Sequence, residues 1–569
     1  MPLHDLPEDV LLDIFQHLHA HDILSLRQTC KALESATRER TVWHEALSRH
    51  SRQSRLPIPA LAECELWVLS ASDLERLTLR ALRFWANWQS PRPEAYKHVP
   101  ISPIRSMERS RGARNLAVVF LPNLPGHVLT LTLYNDNSQD RRYSFELWDV
   151  RQTSKAIHVD HLALEGLLGY AVNSDPDGAC TMAVTRRDSN SQCISEAYNI
   201  EVPRVADSSA FRLVHQFPGY RYTIGLHGSH LVATDSEQGV RIIDVNAGRL
   251  LYTLRAPIML NDPTLRFTEC QCLDIALLDG FVLSFCKQYI FLYRIPATPH
   301  EHEHDGQTTD TAQEAPTLDA IATYKWRWRI DSLVAKPRRE PPGPTGLSHG
   351  GWASATAHHP DPPLIDILIR FDTWFPWPVN ILHHFVLAPN PAYHASTVSL
   401  ADPTTFPYLL STTDGPFMVH SIPSPLRIFT PSDIVLGPYG TALWIDASTD
   451  TTTPSQAGDH GQRIAGKVLT RTPLPHARAR VRPGEGPQDD QVSPGPVPVE
   501  PGAMAPAAPE EVGELSGMAD PAVRGPAVSV FHVQEVEEKW NRVAVDEEGG
   551  RVAVGHVDGR VSVYSYVPE

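Results

Sequence analysis

The residues best suited to bind a metal ion lie in one short polar stretch. His300, His302 and His304 alternate with Glu301 and Glu303. Alternate residues of an extended segment fall on the same side, and imidazole and carboxylate groups are zinc ligands. However, the stretch lacks an apolar scaffold that could fix the ligand geometry. We therefore expect a solvated loop and no metal site.

The cysteines form a second possible ligand set, but their spacing does not favour one. Seven cysteines are scattered through the chain, and no Cys-x-x-Cys pair occurs. Cys270 and Cys272 come closest, and we expect them to be strand residues on one face. The odd number and irregular spacing predict neither a zinc site nor a disulfide framework.

The remaining histidines and the common catalytic motifs do not indicate an enzyme. His383 and His384 are neighbours among apolar residues, so we expect one to point into a packed strand face and the other out. The chain contains no phosphate-binding loop and no Gly-x-Gly-x-x-Gly after a strand. Residues 346–350 and 300–304 match Gly-x-Ser-x-Gly and His-Glu-x-x-His in their letters, but neither match lies in a predicted strand or helix. We expect no catalytic residues and no cofactor. A catalytic site built from residues that are dispersed along the sequence is still an alternative.

Composition limits the kind of partner. The 569 residues carry a formal net charge of -16, and no basic face is evident, which argues against binding to nucleic acid. Arg478, Arg480 and Arg482 form a small basic run, for which we expect solubilising charge rather than an import or docking signal.

No apolar run approaches the roughly 18 uncharged residues of a membrane helix. Asp5 and Asp9 stand where a secretory leader would be basic, so we expect cytoplasmic or nuclear localisation and no membrane partner.

The first 48 residues have the pattern of a small helical unit. Pro7 suits the first position of a helix, and apolar residues follow it at helical spacing as far as Leu18. A second helix is expected with Asp22 near its start, and a third short one around Trp43. A core of this size is marginal without a partner, and Leu6 and Pro7 have no local residues to cover them.

These residues resemble the F-box over about residues 3–48. The matching pattern is Leu-Pro-x-Asp-Val-Leu-x-x-Ile-Phe-x-x-Leu from Leu6, then Asp-Ile-Leu-x-Leu-Arg-x-Thr-Cys-Lys-x-Leu from Asp22, then Trp43. In F-box proteins three helices dock onto a Skp-type adaptor, which joins them to a cullin and a RING subunit. The resemblance implies that one set of residues forms or supports this interface. They are Leu6, Pro7, Glu8, Val10, Leu11, Ile14, Phe15, Leu18, Leu24, Leu26, Cys30, Leu33 and Trp43. The alternative is an ordinary three-helix cap that buries the same residues internally.

A helical linker is expected over residues 51–95. Apolar residues recur at helical spacing from about Ser72 to Gln89, and Trp85 and Trp88 are expected to pack rather than to bind a ligand. The proline-rich residues 90–93 end this helix. Such a helix could join the F-box rigidly to the rest of the chain.

From residue 100 onward the pattern changes to short alternating strands with turn signals. The clearest part is the C-terminus, where Gly549-Gly550 and Asp558-Gly559 separate three strands. The strand ending Trp148-Asp149 is similar to degenerate WD-type repeats, and the length fits about six to eight four-stranded blades. We predict an all-β propeller over residues 100–449 and 526–569, with its first and last strands in one blade. The whole layout is similar to F-box proteins abundant in mushroom-forming fungi.

Three stretches interrupt the strand pattern. Residues 296–318 are polar, residues 336–344 are basic and rich in proline, and residues 450–525 are rich in proline, glycine and alanine. The longest cannot bury enough apolar surface to offset its ordering entropy, so we expect it to be disordered. The expected fold class is α + β multidomain, with a three-helix F-box over residues 1–50, the helical linker and the propeller.

The expected function is that of the substrate-recognition adaptor of an SCF-type cullin–RING ubiquitin ligase, a non-catalytic role. The F-box would hold the Skp-type adaptor, and the propeller would bind an unknown target protein. Two alternatives are open: a binding scaffold outside a full ligase, and a propeller enzyme or small-molecule sensor. Convergent carboxylates or histidines in the central channel would favour the propeller enzyme or small-molecule sensor.

Overall fold

The computed structural model places helices at the N-terminus and strands in the rest of the chain. The residues that it describes are 6–59, 61, 66, 68–103, 112–135, 141–151, 155–203, 208–234, 239–257, 269–296, 315–339, 362–371, 379–395, 398–411, 415–426, 432–447, 461–469, 528–534 and 539–568. The histidines at 300–304 and the arginines at 478–482 lie outside these residues. Among the helices described, none is both long enough and apolar enough to span a membrane.

Four short helices fill the F-box region. They are α1 (Glu8–Gln16), α2 (Ala20–Arg27), α3 (Lys31–Ala36) and α4 (Arg40–Ser54). The structure divides the expected second helix in two, because Cys30 has an extended backbone with φ -158° and ψ 161°. Just before it, the Thr29 hydroxyl donates to the Leu26 carbonyl at 2.7 Å. This bond gives a carbonyl at the end of α2 a partner outside the helical ladder.

A longer helix, α5 (Ala71–Trp88), links the F-box region to the strands. The Ser70 hydroxyl accepts a hydrogen bond from the Asp73 amide at 3.2 Å, which satisfies one of the free amides at the helix start. One face of the helix is apolar and buried, at residues Leu74, Ala81, Phe84, Trp85 and Trp88. The tryptophans therefore pack, as expected from the sequence.

The strands form seven separate sheets, which are the blades of a β-propeller. The first strand, β1 (Lys97–Ile101), belongs to the last blade. Blade one contains β2 (Ala113–Phe120), β3 (His127–Asn135), β4 (Arg141–Asp149) and β5 (Ile157–Glu165). Blade two contains β6 (Leu167–Val172), β7 (Met182–Arg187), β8 (Cys193–Ile200) and β9 (Phe211–Pro218). Blade three contains β10 (Tyr222–His227), β11 (His230–Thr234), β12 (Val240–Asp244) and β13 (Arg249–Arg255).

The second half of the ring has the same plan. Blade four contains β14 (Cys272–Leu278), β15 (Phe281–Cys286), β16 (Tyr289–Arg294) and, after β17 (Thr317–Asp319), β18 (Ala322–Lys325). Blade five contains β19 (Ile330–Pro337), β20 (Ile365–Phe371), β21 (Val379–Leu387) and β22 (Phe417–Pro425). Blade six contains β23 (Ile434–Leu436), β24 (Thr441–Ala447), β25 (Gln462–Val468) and β26 (Ser529–Gln534). Blade seven contains β27 (Trp540–Asp546), β28 (Arg551–His556), β29 (Val561–Ser565) and β1.

Two of the middle strands, β15 and β24, show no alternation between buried and exposed residues. Every residue of β15 and every residue of β24 is buried, because such a strand is covered by a neighbouring blade on each face. The outer strand β5 is largely exposed. Blade three differs from the others in that β17 pairs parallel with its outer strand β13.

The ring closes through its two ends. β1 pairs antiparallel with β29, from Lys97 opposite Ser565 to Ile101 opposite Val561. The outer strand of blade seven therefore comes from the N-terminal side and its three inner strands from the C-terminal side. This is the closure expected from the sequence, and the count of seven lies within the expected six to eight blades.

The expected insertion at 450–525 needs one correction. It contains β25, the third strand of blade six, which is paired on both sides with β24 and β26. Ile464 and Ala465 are fully buried there. The composition of the long flanking stretches concealed this strand, which is only seven residues long. The rest of the expected insertion, 450–460 and 470–525, lies outside the described residues.

Candidate docking surfaces

Four of the residues expected at the adaptor interface are in the core of the F-box region. The exposed fraction is 5% for Leu11, 1% for Phe15, 4% for Leu33 and 0% for Trp43. The Trp43 indole also donates to the Thr37 carbonyl at 2.9 Å. These side chains therefore pack inside the helical unit and hold its helices together.

The other expected interface residues keep apolar surface in contact with solvent. Val10 is 40% exposed and Pro7 is exposed. The half-buried members lie around the same core, and they are Leu6, Ile14, Leu18, Leu24, Leu26 and Cys30. The side chain of Glu8 lies outside the described residues. The helical unit therefore has an apolar edge that its own core does not cover.

Arg27 braces the F-box helices against α5. Its guanidinium forms two hydrogen bonds with the Glu75 carboxylate, at 2.8 and 2.9 Å. It also donates to the Thr37 carbonyl at 3.1 Å and lies 5.6 Å from the centroid of the Trp43 ring. One side chain thus ties α2 to the end of α3 and to α5. The sequence pattern marked Arg27 only as a position of the F-box motif.

The end of α5 is inserted against blades six and seven. The Trp88 indole donates to the Thr441 hydroxyl at 3.1 Å, and its ring packs edge-on against Phe531 and Tyr566 at centroid distances of 5.2 and 5.4 Å. Arg80 donates to the carbonyl of Pro568 at 3.0 Å. We call this side of the propeller, which carries the turns at 437–440 and 549–550, the helix face, and the opposite side the far face.

Two glycines allow close packing on the helix face, one against α5 and one between blades six and seven. Gly550 has a φ of +59°, and a Cβ there would lie 2.7 Å from a ring carbon of Phe84 in α5. A Cβ at Gly437 would lie 2.2 Å from the Glu547 carboxylate. A larger residue at either position would push the neighbouring element away.

A buried carboxylate joins blades six and seven beneath α5. Glu547 accepts hydrogen bonds from the amides of Tyr439 and Thr441, both at 2.7 Å. Burial raises the pKa of Glu547 to about 7, although these hydrogen bonds act in the opposite direction. The neighbouring Glu548 accepts a bond from the Tyr439 hydroxyl at 2.8 Å.

The carboxylates on the innermost strands tie neighbouring blades together. Asp274 of β14 accepts from the Ala335 amide at 2.8 Å, and Asp433, just before β23, accepts from the Val543 amide at 2.9 Å. Burial raises the pKa of Asp433. The two carboxylates therefore serve different blade junctions and do not converge on one point. Across the described part of the chain, no group of three or more His, Cys, Asp or Glu side chains could hold a metal ion.

The neighbouring histidines of β21 differ in burial, as expected from the sequence. His383 is half-buried and His384 is fully buried. His384 lies 2.9 Å from the Asp366 carboxylate, which also accepts two bonds from Arg338 at 2.8 and 2.5 Å. Burial alone would raise the pKa of Asp366, but its bonds to His384 and Arg338 lower it. This network stabilises the inside of blade five.

The far face carries an exposed aromatic and basic patch between blades four and five. Trp328 is 39% exposed and Ile381 is 41% exposed. The Arg327 guanidinium lies 4.7 Å from the Trp328 ring centroid, and Phe371 supports that ring at 5.5 Å. The exposed basic residues of the segment are Lys325, Arg327 and Arg329. We call these six residues the Trp328 patch. Sequence reasoning missed it, since a Trp/Arg alternation is equally compatible with a packed strand.

Comparison with known proteins supports the N-terminal assignment. Residues 3–49 match the F-box-like family. No curated protein is similar enough to the chain to count as a match. One similar solved structure is a humanized mutant of the Chaetomium thermophilum Polycomb Repressive Complex 2 bound to the inhibitor GSK126, with 12% identity, coverage of 84% of this chain and 98% of that chain, and a TM-score of 0.43. Another is the computationally designed Ika8 protein, with 7% identity, coverage of 82% and 98%, and a TM-score of 0.36.

The fold and the N-terminal match define the class of protein. The chain has an F-box-like domain at residues 3–49 followed by a seven-bladed β-propeller. This architecture fits an F-box substrate adaptor in general and is typical of non-catalytic adaptors. F-box domains generally bind Skp-type adaptors.

Proposed function

We propose that this chain is the substrate-recognition subunit of an SCF-type cullin–RING ubiquitin ligase in the cytoplasm, the nucleus or both. Its F-box would bind a Skp-type adaptor and, through it, a cullin and a RING subunit. Its propeller would bind the target protein. Ubiquitin transfer would take place on the conjugating enzyme held by the RING subunit, so this chain needs no nucleophile of its own.

The observation that carries the proposal is the continuous core between the two domains. A single cluster of buried apolar side chains runs from Phe15 and Trp43 in the F-box through Trp88 in α5 to Phe531 and Tyr566 in the propeller. A target on the propeller would therefore be held at a fixed position relative to the adaptor. Fixed geometry raises the effective concentration of a target lysine near the conjugating enzyme, which is how an adaptor accelerates transfer.

The adaptor surface would consist of the exposed and half-buried F-box residues. Pro7 and Val10 are its most exposed members. An apolar edge on a small helical unit is suited to helix-mediated docking. A stable interface of this kind buries on the order of 1,200–2,000 Å² in total.

The target would bind on the far face, at or near the Trp328 patch. The helix face is partly covered by α5 and the F-box, whereas the patch lies on the opposite side. Exposed tryptophan and arginine are the residue types that contribute most to binding energy at protein interfaces. Backbone hydrogen bonds hold the segment that carries them in place. The Trp326 amide donates to the Gln288 carbonyl at 2.9 Å, and the Ile330 amide donates to the Lys287 carbonyl at 2.8 Å.

Co-purification of the adaptor tests the proposal. The full chain, Leu6→Ala/Pro7→Ala and the control Leu400→Ala would be purified from cells in which cullin activation and the proteasome are inhibited. Leu400 is an exposed leucine of the propeller at 60% exposure. We expect the wild type and the control to retain the Skp-type adaptor and the cullin, and the double variant to lose both. Normal adaptor binding by the double variant would contradict the proposal, and adaptor without cullin on the wild type would favour the scaffold alternative.

A further inference from the structure

Two cysteine side chains meet across neighbouring strands on blade four. Cys272 is the first residue of β14 and Cys286 is the last residue of β15. They are direct partners in the antiparallel register. We propose that Cys272 and Cys286 are an oxidation site, where a hydroperoxide converts the two thiols into a cross-strand disulfide.

The contacts of the two sulfur atoms bring them together. The Ser284 hydroxyl donates to the Cys272 sulfur at 3.2 Å and lies 3.5 Å from the Cys286 sulfur. The pKa of Cys286 is raised well above its usual value, first by a hydrogen bond with Cys272 and then by burial. The Ser284 hydroxyl therefore contacts both sulfur atoms, and the two thiols lie on the same side of the sheet next to each other.

A small local shift of the backbone would allow a bridge between the two cysteines. Directly opposite residues of an antiparallel pair have Cβ atoms about 4.5–5.5 Å apart, and a disulfide needs about 3.5–4.5 Å. The register is irregular between Cys272 and Asp274. Such a bulge at the start of a strand lets one residue shift without moving the whole sheet.

Exposure sets the order of the chemical steps. Cys272 is half-buried, whereas Cys286 is only 2% exposed. Cys272 loses its proton, and its thiolate attacks one oxygen of hydrogen peroxide. The O–O bond breaks, a sulfenic acid forms, and the hydroxide that leaves becomes water with the proton from Cys272. The Cys286 sulfur then attacks the sulfenic sulfur, the S–O bond breaks, and the hydroxide leaves as water with the Cys286 proton. Two thiols and one peroxide give one disulfide and two water molecules.

The bridge would act on the far face. The residues after Cys286, Lys287 and Gln288, accept the backbone hydrogen bonds that hold the segment from Trp326 to Ile330. A disulfide at Cys286 would restrain this loop and hence the backbone that carries Trp328. We therefore expect slower hydrogen exchange in residues 287–289 after oxidation.

Peptide mapping after oxidation tests the proposal. The folded full chain would be treated with hydrogen peroxide, alkylated without reduction, and digested. We expect a Cys272–Cys286 linked peptide that is absent from Cys272→Ser and Cys286→Ser and still present in Cys193→Ser. Cys193 is a half-buried cysteine at the start of β8 in blade two, and it serves as the matched control.

Three results would overturn the proposal. One is full alkylation of Cys272 and Cys286 under conditions that oxidise Cys193. Another is a linked peptide that joins Cys270 to either cysteine in place of the predicted pair. The third is a Cys272–Cys286 link that appears only after the protein is unfolded in urea, because it would show that the folded blade does not bring the thiols together.

Discussion

The indole nitrogen of Trp88 lies 3.1 Å from the hydroxyl oxygen of Thr441 and donates a hydrogen bond to it. This bond joins the last residue of α5 to the first residue of β24. Phe84 packs against the same indole at a centroid distance of 5.2 Å. Because α5 also packs against the F-box helices, this contact sets the position of the F-box relative to the propeller.

The first prediction is that Trp88→Ala releases α5 from the propeller. Removal of a buried tryptophan costs about 3–5 kcal/mol, because the apolar contacts are lost and a cavity remains. We expect rapid limited proteolysis between the F-box and β1, and a lower midpoint of urea unfolding. Trp88→Phe is the control, since it keeps most of the packing and loses one hydrogen bond, worth about 1 kcal/mol. Equal proteolysis of Trp88→Ala and the wild type would contradict the prediction.

The second prediction concerns pH and Glu547. Its pKa is raised from an ordinary 4.5 to about 7 in the folded protein, so the folded state binds this proton more tightly than the unfolded state. The bound proton stabilises the folded state fully below about pH 4.5, and this contribution to the free energy of unfolding is lost as the pH rises through about 7. We expect the thermal midpoint of the wild type to fall more steeply between about pH 5 and pH 8 than that of Glu547→Gln.

The matched control for this pH dependence is Glu548→Gln. Glu548 is the next residue and is exposed. Its charge contributes less than burial does to the raised pKa of Glu547, so this change should leave most of the slope of the wild type in place. If Glu547→Gln and the wild type lose stability in parallel over this range, Glu547 is not the titrating group.

The third prediction is an energetic coupling between Arg27 and Glu75. Their side chains are only 17% and 21% exposed and form two hydrogen bonds. A double-mutant cycle with Arg27→Ala and Glu75→Ala should give a coupling of about 1 kcal/mol in unfolding free energy. The exposed pair Arg38–Glu34, at 64% and 46%, is the control and should give at most about 0.5 kcal/mol. Equal coupling energies in the two pairs would contradict the prediction, because they would show that burial does not strengthen the interaction between Arg27 and Glu75.

The fourth prediction separates the surface of the F-box from its core. Val10→Ala should weaken adaptor binding and leave the thermal midpoint almost unchanged, because this side chain is 40% exposed. Leu11→Ala should lower the unfolding free energy by about 2–5 kcal/mol, because Leu11 is buried. Binding is measured by pull-down with a Skp-type adaptor, and stability by thermal unfolding. If Val10→Ala binds normally, the interface lies elsewhere.

Local pattern was enough to predict the F-box region and the general type of the larger domain. The spacing of apolar residues between Pro7 and Trp43, and the turns at 549–550 and 558–559, are signals contained in a few consecutive residues. The break at Cys30 was not predictable in this way, because the apolar spacing continues across it. β25 was not predicted because it has only seven residues, and the long stretches rich in proline, glycine and alanine on either side dominate the composition of that region.

The candidate surfaces were predictable to different extents. The F-box motif named the residues of the adaptor surface, but burial in the structure divides them into supporting side chains such as Trp43 and exposed ones such as Pro7. The Trp328 patch could not be recognised beforehand, because whether a tryptophan is covered depends on which strands flank it. The pairing of Cys272 with Cys286 could not be predicted either, because their separation along the chain does not show which residues of β14 and β15 lie opposite each other.

The sequence by itself determined where helices give way to strands, which residues form the F-box motif and that the strands are numerous enough for a propeller. Each of these properties depends on the spacing of apolar and turn residues over short distances. Only the tertiary structure decided the number of blades, the pairing of β1 with β29, and the contact of Trp88 with Thr441. These features join residues that are hundreds of positions apart, and they depend on which buried surfaces fit each other rather than on any local periodicity.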